Sequence, residues 1–406
     1  FGFMGADYVK TPNMDQLASS GTLFKNGYVS DNHCRPSLAT LVTGMLPIEY
    51  NREVEQMILD KAIIDDNQKK EFSHNAMRHF LTIPKILKEK GYKSFQGGKW
   101  WEFHYENGGF DDGMTTGWTK EERKSEGWFR KFMGGYGLEL ARATMEPVYD
   151  FIDKNIENPF FLWYAPELPH YPFDAPEKYY EIYKDEDMTE SAKRYYANCT
   201  WFDDGVVQLL DYLKKVGEYE NTLFIYVNDN GWEQTPDQEF WNDPMRSHNG
   251  GDKGKLSLFD QSFRTPIIFS WDGMINRNVQ LNHLIHSSDI PATILDYLEI
   301  EIPKNFHGKS YKNAIDGNDF IGREEIVGNI TTTRSFDDMM GKPTDGYWIR
   351  DEDWFLSWNI TENEINLYDI KIDQNNDNNL ADQKPEIVKT MIKKIKIWKD
   401  ERKREF

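Results

Sequence analysis

Three things are scarce in this chain of 406 residues, and each scarcity excludes something. There are two cysteines, Cys34 and Cys199, so no disulfide framework is required and the redox compartment cannot be read from them. No stretch is apolar enough over about 20 residues to span a bilayer. Basic residues are outnumbered, 48 against 68 acidic ones, for a formal charge of −20. That balance argues against nucleic acid or an anionic membrane as the general partner. An anionic substrate needs a local cluster of Lys, Arg, His and metal to overcome the global field. Internal repeats and long low-complexity linkers are also absent. The chain opens on Phe1-Gly2-Phe3 without an initiator Met, so the lack of a targeting segment carries no information about location. What the sequence has in plenty is length, enough for one large core or two domains, and aromatic residues, 15% with 13 Trp.

The stretch around which the rest is organised is Cys34-Arg35-Pro36-Ser37-Leu38-Ala39-Thr40-Leu41-Val42-Thr43-Gly44. It reads as a loop feeding into a buried helix, with Cys34 at or near the helix N-terminus. Unpaired N–H groups and the positive dipole end make such a position suitable for an anion, or for a group that attacks one. A buried structural thiol is the commoner role of an isolated Cys, and Cys199, on a long amphipathic helix from Ser191 to Val216, is read that way.

Several apolar strands end in turns that carry chemistry, the place where doubly wound sheets hold ligands. A strand at Tyr92 to Gln96 runs into Gly97-Gly98-Lys99-Trp100-Trp101. A second, within Asn158 to Ala165, is followed by Pro169-His170-Tyr171-Pro172, where an imidazole is suited to proton transfer near neutral pH. A third, within Asn221 to Val227, ends in Asn228-Asp229-Asn230-Gly231, whose Asp and Asn oxygens suit a hard cation. Thr11 to Gly21 reads as a short helix with Thr11 as N-cap, Leu23 to Val29 as a strand and Leu138 to Asn155 as an amphipathic helix. Residues 114–135 read as an inserted loop and residues 236–254 as a polar loop. Past residue 320 short alternating segments at Tyr347 to Arg350 and Asp353 to Trp358 predict a small antiparallel sheet, with a basic helix from Pro385 to Arg402 against it.

These motifs, in this order, resemble the sulfatase family of the alkaline phosphatase superfamily. The resemblance rests on Cys34-x-Pro36-Ser37 with the apolar run to Thr43-Gly44, on Thr11-Pro12-Asn13-x-Asp15-x-Leu17-Ala18-x-x-Gly21, on Gly98-Lys99-Trp100, on Pro169-His170-x-Pro172, on Asp229-Asn230-Gly231, and on Lys255 nine residues before Arg264. Two positions depart from the family pattern: Leu38 stands where the family has Arg, and Trp101 where it has His. The resemblance implies an α/β fold, with a large, mostly parallel central sheet flanked by helices over residues 1–320 and a small C-terminal α+β subdomain over 321–406. It implies hydrolysis of sulfate esters, on a carbohydrate in the first reading, through a formylglycine made from Cys34 by a maturation enzyme. In that scheme Lys99 and Lys255 hold the sulfate, with Lys253 as the fallback for Lys255, and His170 assists the leaving alcohol. Asp229 and Asn230 bind Ca²⁺, with Mg²⁺ the other candidate, beside an Asp-Asp pair expected on a strand preceding Phe1. Trp101, His104 and Arg35 are further substrate-side candidates, His104 or Arg35 standing in for the lost groups. The resemblance also implies a secreted or periplasmic protein. The alternatives are a phosphodiester or phosphonate hydrolase of the same superfamily, a silent relative that binds sulfated glycans without turnover, and an unmodified Cys34 thiolate as nucleophile.

Overall fold

The computed structural model describes residues 1–335 and 340–404. Twelve strands run in chain order: β1 (Thr22–Tyr28), β2 (Lys93–Gly98), β3 (Asp112–Gly113), β4 (Phe160–Ala165), β5 (Phe224–Val227), β6 (Arg264–Ser270), β7 (Val279–Leu281), β8 (Ile285–His286), β9 (Glu325–Thr333), β10 (Lys342–Asp351), β11 (Trp354–Asn359) and β12 (Glu364–Asp369). The chain forms two compact units. One takes Phe1–Asp15, Tyr50–Glu186 and Arg194–Thr222; the other takes Gln16–Glu49, Asp187–Lys193 and Leu223–Phe406.

The first unit holds a three-stranded parallel sheet in the order β3-β2-β4. Its register runs from Lys93 opposite Phe160 to Gly98 opposite Ala165, so the two strands end level with each other. The second unit holds a five-stranded sheet in which β1 pairs antiparallel with β6 and parallel with β7 and β8, while β5 pairs antiparallel with β6. Outside the C-terminal sheet the described strand pairs are therefore mostly parallel, as expected. Phe24, Ile267, Phe269, Ile285, Ile290 and Tyr311 form the core on one side of that sheet. The C-terminal sheet, β12-β11-β10-β9, is antiparallel throughout. The basic helix, Pro385–Arg404, lays Met391 and Ile395 with Ile387, Val388, Ile392 and Trp398 against it, so its charge run is the outward face of an amphipathic helix. Among the described residues no helix is long and apolar enough to cross a membrane.

Two local expectations change. The helix foreseen over Leu138 to Asn155 covers only Glu146–Asn155, because Pro147 must sit in a first turn and Ala141 takes a positive φ of 61°. Residues 114–135 are not all loop either: Trp128–Met133 forms a short helix, as does Pro244–Asn249 in the polar stretch after β5.

The cap of the Pro12–Ser19 helix also comes from an unexpected source. The Thr11 hydroxyl is buried and makes no hydrogen bond. The helix start is instead met by Asp203, whose carboxylate accepts from Met14 N at 2.7 Å and from Asn13 N at 3.1 Å. The cap is thus supplied by a residue remote in sequence, and burial pushes the Asp203 carboxyl above its usual range. Replacing Asp203 with Ala leaves Met14 N, Asn13 N and the Asn13 side-chain amide without their acceptor; it is expected to cost about 2 kcal/mol in urea unfolding, against a few tenths for Thr11→Val.

The approach to Cys34 is fixed by a second buried carboxylate. Asp31 accepts from His33 N at 3.0 Å and from the Thr331 hydroxyl of β9 at 2.9 Å. Burial pushes its carboxyl up to about 7, against those hydrogen bonds, which favour the ionised form. The folded state thus holds a proton that the unfolded chain releases near pH 4, so this group's contribution to stability falls as pH rises from about 4 to 7 and is level above that. Asp31→Asn is expected to remove this dependence: its stability relative to the wild type should rise between pH 5 and pH 7.5 in chemical unfolding. A constant difference across that range would refute the assignment.

Candidate active site

In the second unit, Cys34 is the first residue of the Cys34–Thr43 helix. Gly44 ends it at φ 68°, where a Cβ would run into the Phe306 ring at 2.6 Å. The Cys34 thiol is only 1% exposed and donates to the Asn230 side-chain oxygen over 3.5 Å. Asn230 is held in that direction by its own amide, which donates to Gly231 O at 2.8 Å. The structure thus brings the lone Cys of the motif and the Asn at the end of β5 together across 196 residues of sequence. Arg35 is the next residue of the helix and is half-buried, while Leu38, where the family has Arg, is buried one turn on.

Asp229 and Asn230 follow β5 and supply a carboxylate and an amide oxygen. Both are hard donors, and the fixed Asn230 oxygen is of the kind Ca²⁺ or Mg²⁺ takes. Among the described residues no group of three or more His, Cys, Asp or Glu is placed to hold a metal ion. The oxygens of Asp229 and Asn230 fit a hard cation by their chemistry, as two donors of a larger shell.

Lys253 and Lys255 are separated by the structure. Lys253 donates to Asn375 O at 2.6 Å and pairs with Asp377. Lys255 is 3% exposed, and its backbone carbonyl lies 3.4 Å from an Arg334 guanidinium nitrogen. The side chain of Lys253 thus ties two loops, and Lys255 is the buried cation of the pair.

The first unit carries the other candidates. Lys99 follows β2 through Gly98, which takes φ 92° and has no room for a Cβ, since one would lie 1.8 Å from Ala165 O. That close approach lets Lys99 N donate to Ala165 O at 2.6 Å, and Lys99 is 6% exposed. Five residues past the end of β4 lies His170, also buried. Its Nδ1 is 2.6 Å from Tyr171 O. A carbonyl only accepts, so Nδ1 carries the hydrogen in this bond. Between β4 and His170 stands Glu167, buried against Arg142 at 3.0 Å and Arg130 at 3.8 Å. Burial pushes the Glu167 carboxyl above its usual range, while Arg142, Arg130 and Lys99 pull it back.

Trp101 and His104 are placed differently. Trp101 is buried with its ring edge-on to Phe132 at 5.0 Å and near Phe129 at 6.2 Å, both from the Trp128–Met133 helix. That helix is tied to the Lys99 turn by Trp100 N donating to Met133 O at 3.0 Å. The His104 ring caps its own turn by accepting from Glu106 N at 3.2 Å. Sequence reasoning missed Arg142, Glu167 and Asn198, which surround His170. For Glu167 a signal existed, a carboxylate in an otherwise apolar Pro-rich run; for Arg142 and Asn198 the sequence offered none.

Comparison with known proteins places this geometry. The Sulfatase family model matches residues 1–300, and the N-sulphoglucosamine sulphohydrolase C-terminal model matches residues 251–401. The chain is 26% identical over 444 residues to the uncharacterized sulfatase YdeN of Escherichia coli (strain K12), covering 94% of this chain and 75% of that protein. It is 26% identical over 395 residues to the N-acetylgalactosamine-6-sulfatase of Canis lupus familiaris, covering 88% and 70%. Among solved structures, the chain superimposes with TM-score 0.73 at 18% identity on a protein in complex with its substrate D-glucosamine-2-N,6-O-disulfate, over 100% of this chain and 95% of that one. With a family model matching well over half its length, the chain belongs to the sulfatase family and is a sulfuric ester hydrolase.

Proposed function

We propose that this chain removes sulfate from a sulfated carbohydrate, with a formylglycine made from Cys34 as its nucleophile and Ca²⁺ as its cation. The observation that carries the reading is the placement of Cys34: first residue of a buried helix, its thiol directed at the fixed oxygen of Asn230. A carbohydrate substrate is favoured by the N-acetylgalactosamine-6-sulfatase relative and by the N-sulphoglucosamine sulphohydrolase C-terminal match.

Each residue has a role that its surroundings suit. Position 34, at the N–H groups and positive dipole end of its helix, would hold the hydrated aldehyde, which would supply the nucleophile for sulfur. Lys255 and Lys99, both drawn out of water, bind sulfate oxygens as fixed cations, worth far more in a low-dielectric site than at the surface. His170, hydrogen-bonded through Nδ1, passes a proton from Nε2 to the leaving oxygen. Asp229 and Asn230 hold the cation, which when bound draws charge from the sulfate oxygens. A second reading, a sulfated-glycan binder without turnover, is favoured by Leu38 and Trp101, which place apolar side chains where the family has Arg and His.

Mass spectrometry of the Cys34 peptide separates the two. With the chain produced beside a formylglycine-generating enzyme, an aldehyde at position 34 and sulfate release from sulfated monosaccharides are expected. An unmodified thiol would demote the proposal and leave the silent-binder and thiolate readings. In the active protein, Lys255→Ala and His170→Ala are each expected to lower kcat/KM by about 10²- to 10³-fold while the chain still folds, as read by circular dichroism. Unaltered turnover in either variant rejects that residue's role.

A further inference from the structure

The segment that carries His170, Pro169-His170-Tyr171-Pro172, lacks two backbone donors, since neither proline has an N–H. Its buried carbonyls must be satisfied from elsewhere. Two side chains, Arg142 and Asn198, do this. Arg142, 7% exposed, donates from Nη2 to His170 O at 3.3 Å and to Pro172 O at 3.2 Å. Its Nε lies 3.0 Å from the Glu167 carboxylate, its Nη1 pairs with Asp174, and its guanidinium lies over the Trp201 ring at 5.2 Å. Glu167 closes the loop, because its carbonyl accepts from His170 N at 2.9 Å. From the Glu190–Val216 helix Asn198, fully buried, donates to Pro172 O at 3.0 Å, Pro169 O at 3.4 Å and His170 O at 3.5 Å, and accepts from Ala175 N at 3.1 Å.

We infer that Arg142 is a positioning residue for His170, fixing together with Asn198 the carbonyls either side of the Tyr171 oxygen on which the imidazole rests, while Glu167 balances its buried charge. The inference rests on the role proposed for His170 in passing a proton to the leaving group. The geometry uses what distinguishes Arg from Lys. The planar fork reaches two carbonyls and a carboxylate together, which a single ammonium on a flexible stem does not reproduce. With the backbone fixed, the Nδ1 hydrogen stays on Tyr171 O and the exchanging proton stays on Nε2. With the fork removed, His170 O and Pro172 O keep only the Asn198 amide as donor, and the ring loses that orientation.

The test compares Arg142→Lys with the wild type, and with Asp174→Ala as a control that removes only the solvent-side partner. Two readouts are taken. The first is the imidazole ¹H–¹⁵N correlation spectrum, with the His170 signals assigned by their loss in His170→Gln. The second is the pair of kcat and KM values on phenyl sulfate and 4-nitrophenyl sulfate, whose leaving groups differ in their need for a proton. Arg142→Lys is expected to move the His170 signals and to lower kcat on phenyl sulfate at least about tenfold more than on 4-nitrophenyl sulfate, with KM changed less than about twofold. Asp174→Ala is expected to match the wild type in both. Unmoved His170 signals, or equal losses on the two esters, overturn the inference. If Arg142→Lys does not fold, Asn198→Ala removes a donor to the same loop, and the same shift of the His170 signals is required of it. The spectrum is read without turnover, so a wild type that releases sulfate from neither these esters nor sulfated monosaccharides counts against the proposed function and leaves the positioning role to be decided by the His170 signals.

Discussion

Charge held out of water is the constraint on which this structure turns. Lys99, Lys255, Asp203, Glu167 and Asp289, with the carboxyl of Asp31 that burial holds toward its neutral form, are all buried in a protein whose net charge is −20. Moving such groups from water into a low-dielectric interior is costly unless each is met by hydrogen bonds or an opposite charge. The chain meets that cost with groups brought from far along the sequence: Asp203 by the start of the Pro12–Ser19 helix, Asp31 by Thr331, Glu167 by Arg142, Asp289 by Arg323. Removing one member of such a set leaves its partner buried and unsatisfied, which is why they hold the fold to one geometry.

The same constraint explains how small motifs become precise sites. In the first unit, β2 and β4 run parallel and finish level, so the turn carrying Lys99 and the segment carrying His170 begin at the same edge of one sheet. Gly98 permits the approach of that turn to Ala165, and Arg142 with Asn198 satisfies the segment beyond. In the second unit, the helix start at Cys34 and the end of β5 bring a sulfur and an amide oxygen into contact. Strand ends and helix starts are the places where backbone groups are left unpaired by regular structure, and this chain puts its reactive side chains there.

Much of the fold was legible because its signals are local. The apolar run Phe160 to Ala165, the turn glycines Gly97 and Gly98, and the Gly44 stop are each readable over a few residues, and the strands and helix they mark lie within a few positions of expectation. Pro147 was legible too, and its weight against a continuous helix from Leu138 exceeds that of the apolar spacing that suggested one. The short Trp128–Met133 helix was not, since it is held by contacts of Phe129 and Phe132 with Trp101 rather than by its own pattern.

The sequence alone determined the family and its reactive residue types: a Cys before a Pro and an apolar run, a Lys after two glycines, a His between prolines, an Asp-Asn-Gly after an apolar strand. Periodicity and turn chemistry act over neighbouring residues, so a linear string contains them. Only the tertiary structure decided who partners whom. That Asp203 and not Thr11 caps a helix, that Lys253 is spent on Asp377 while Lys255 is buried, and that Arg142 holds the His170 segment are outcomes of packing between residues remote in sequence. Such pairings depend on which groups lose their water together, and that is settled by the fold as a whole.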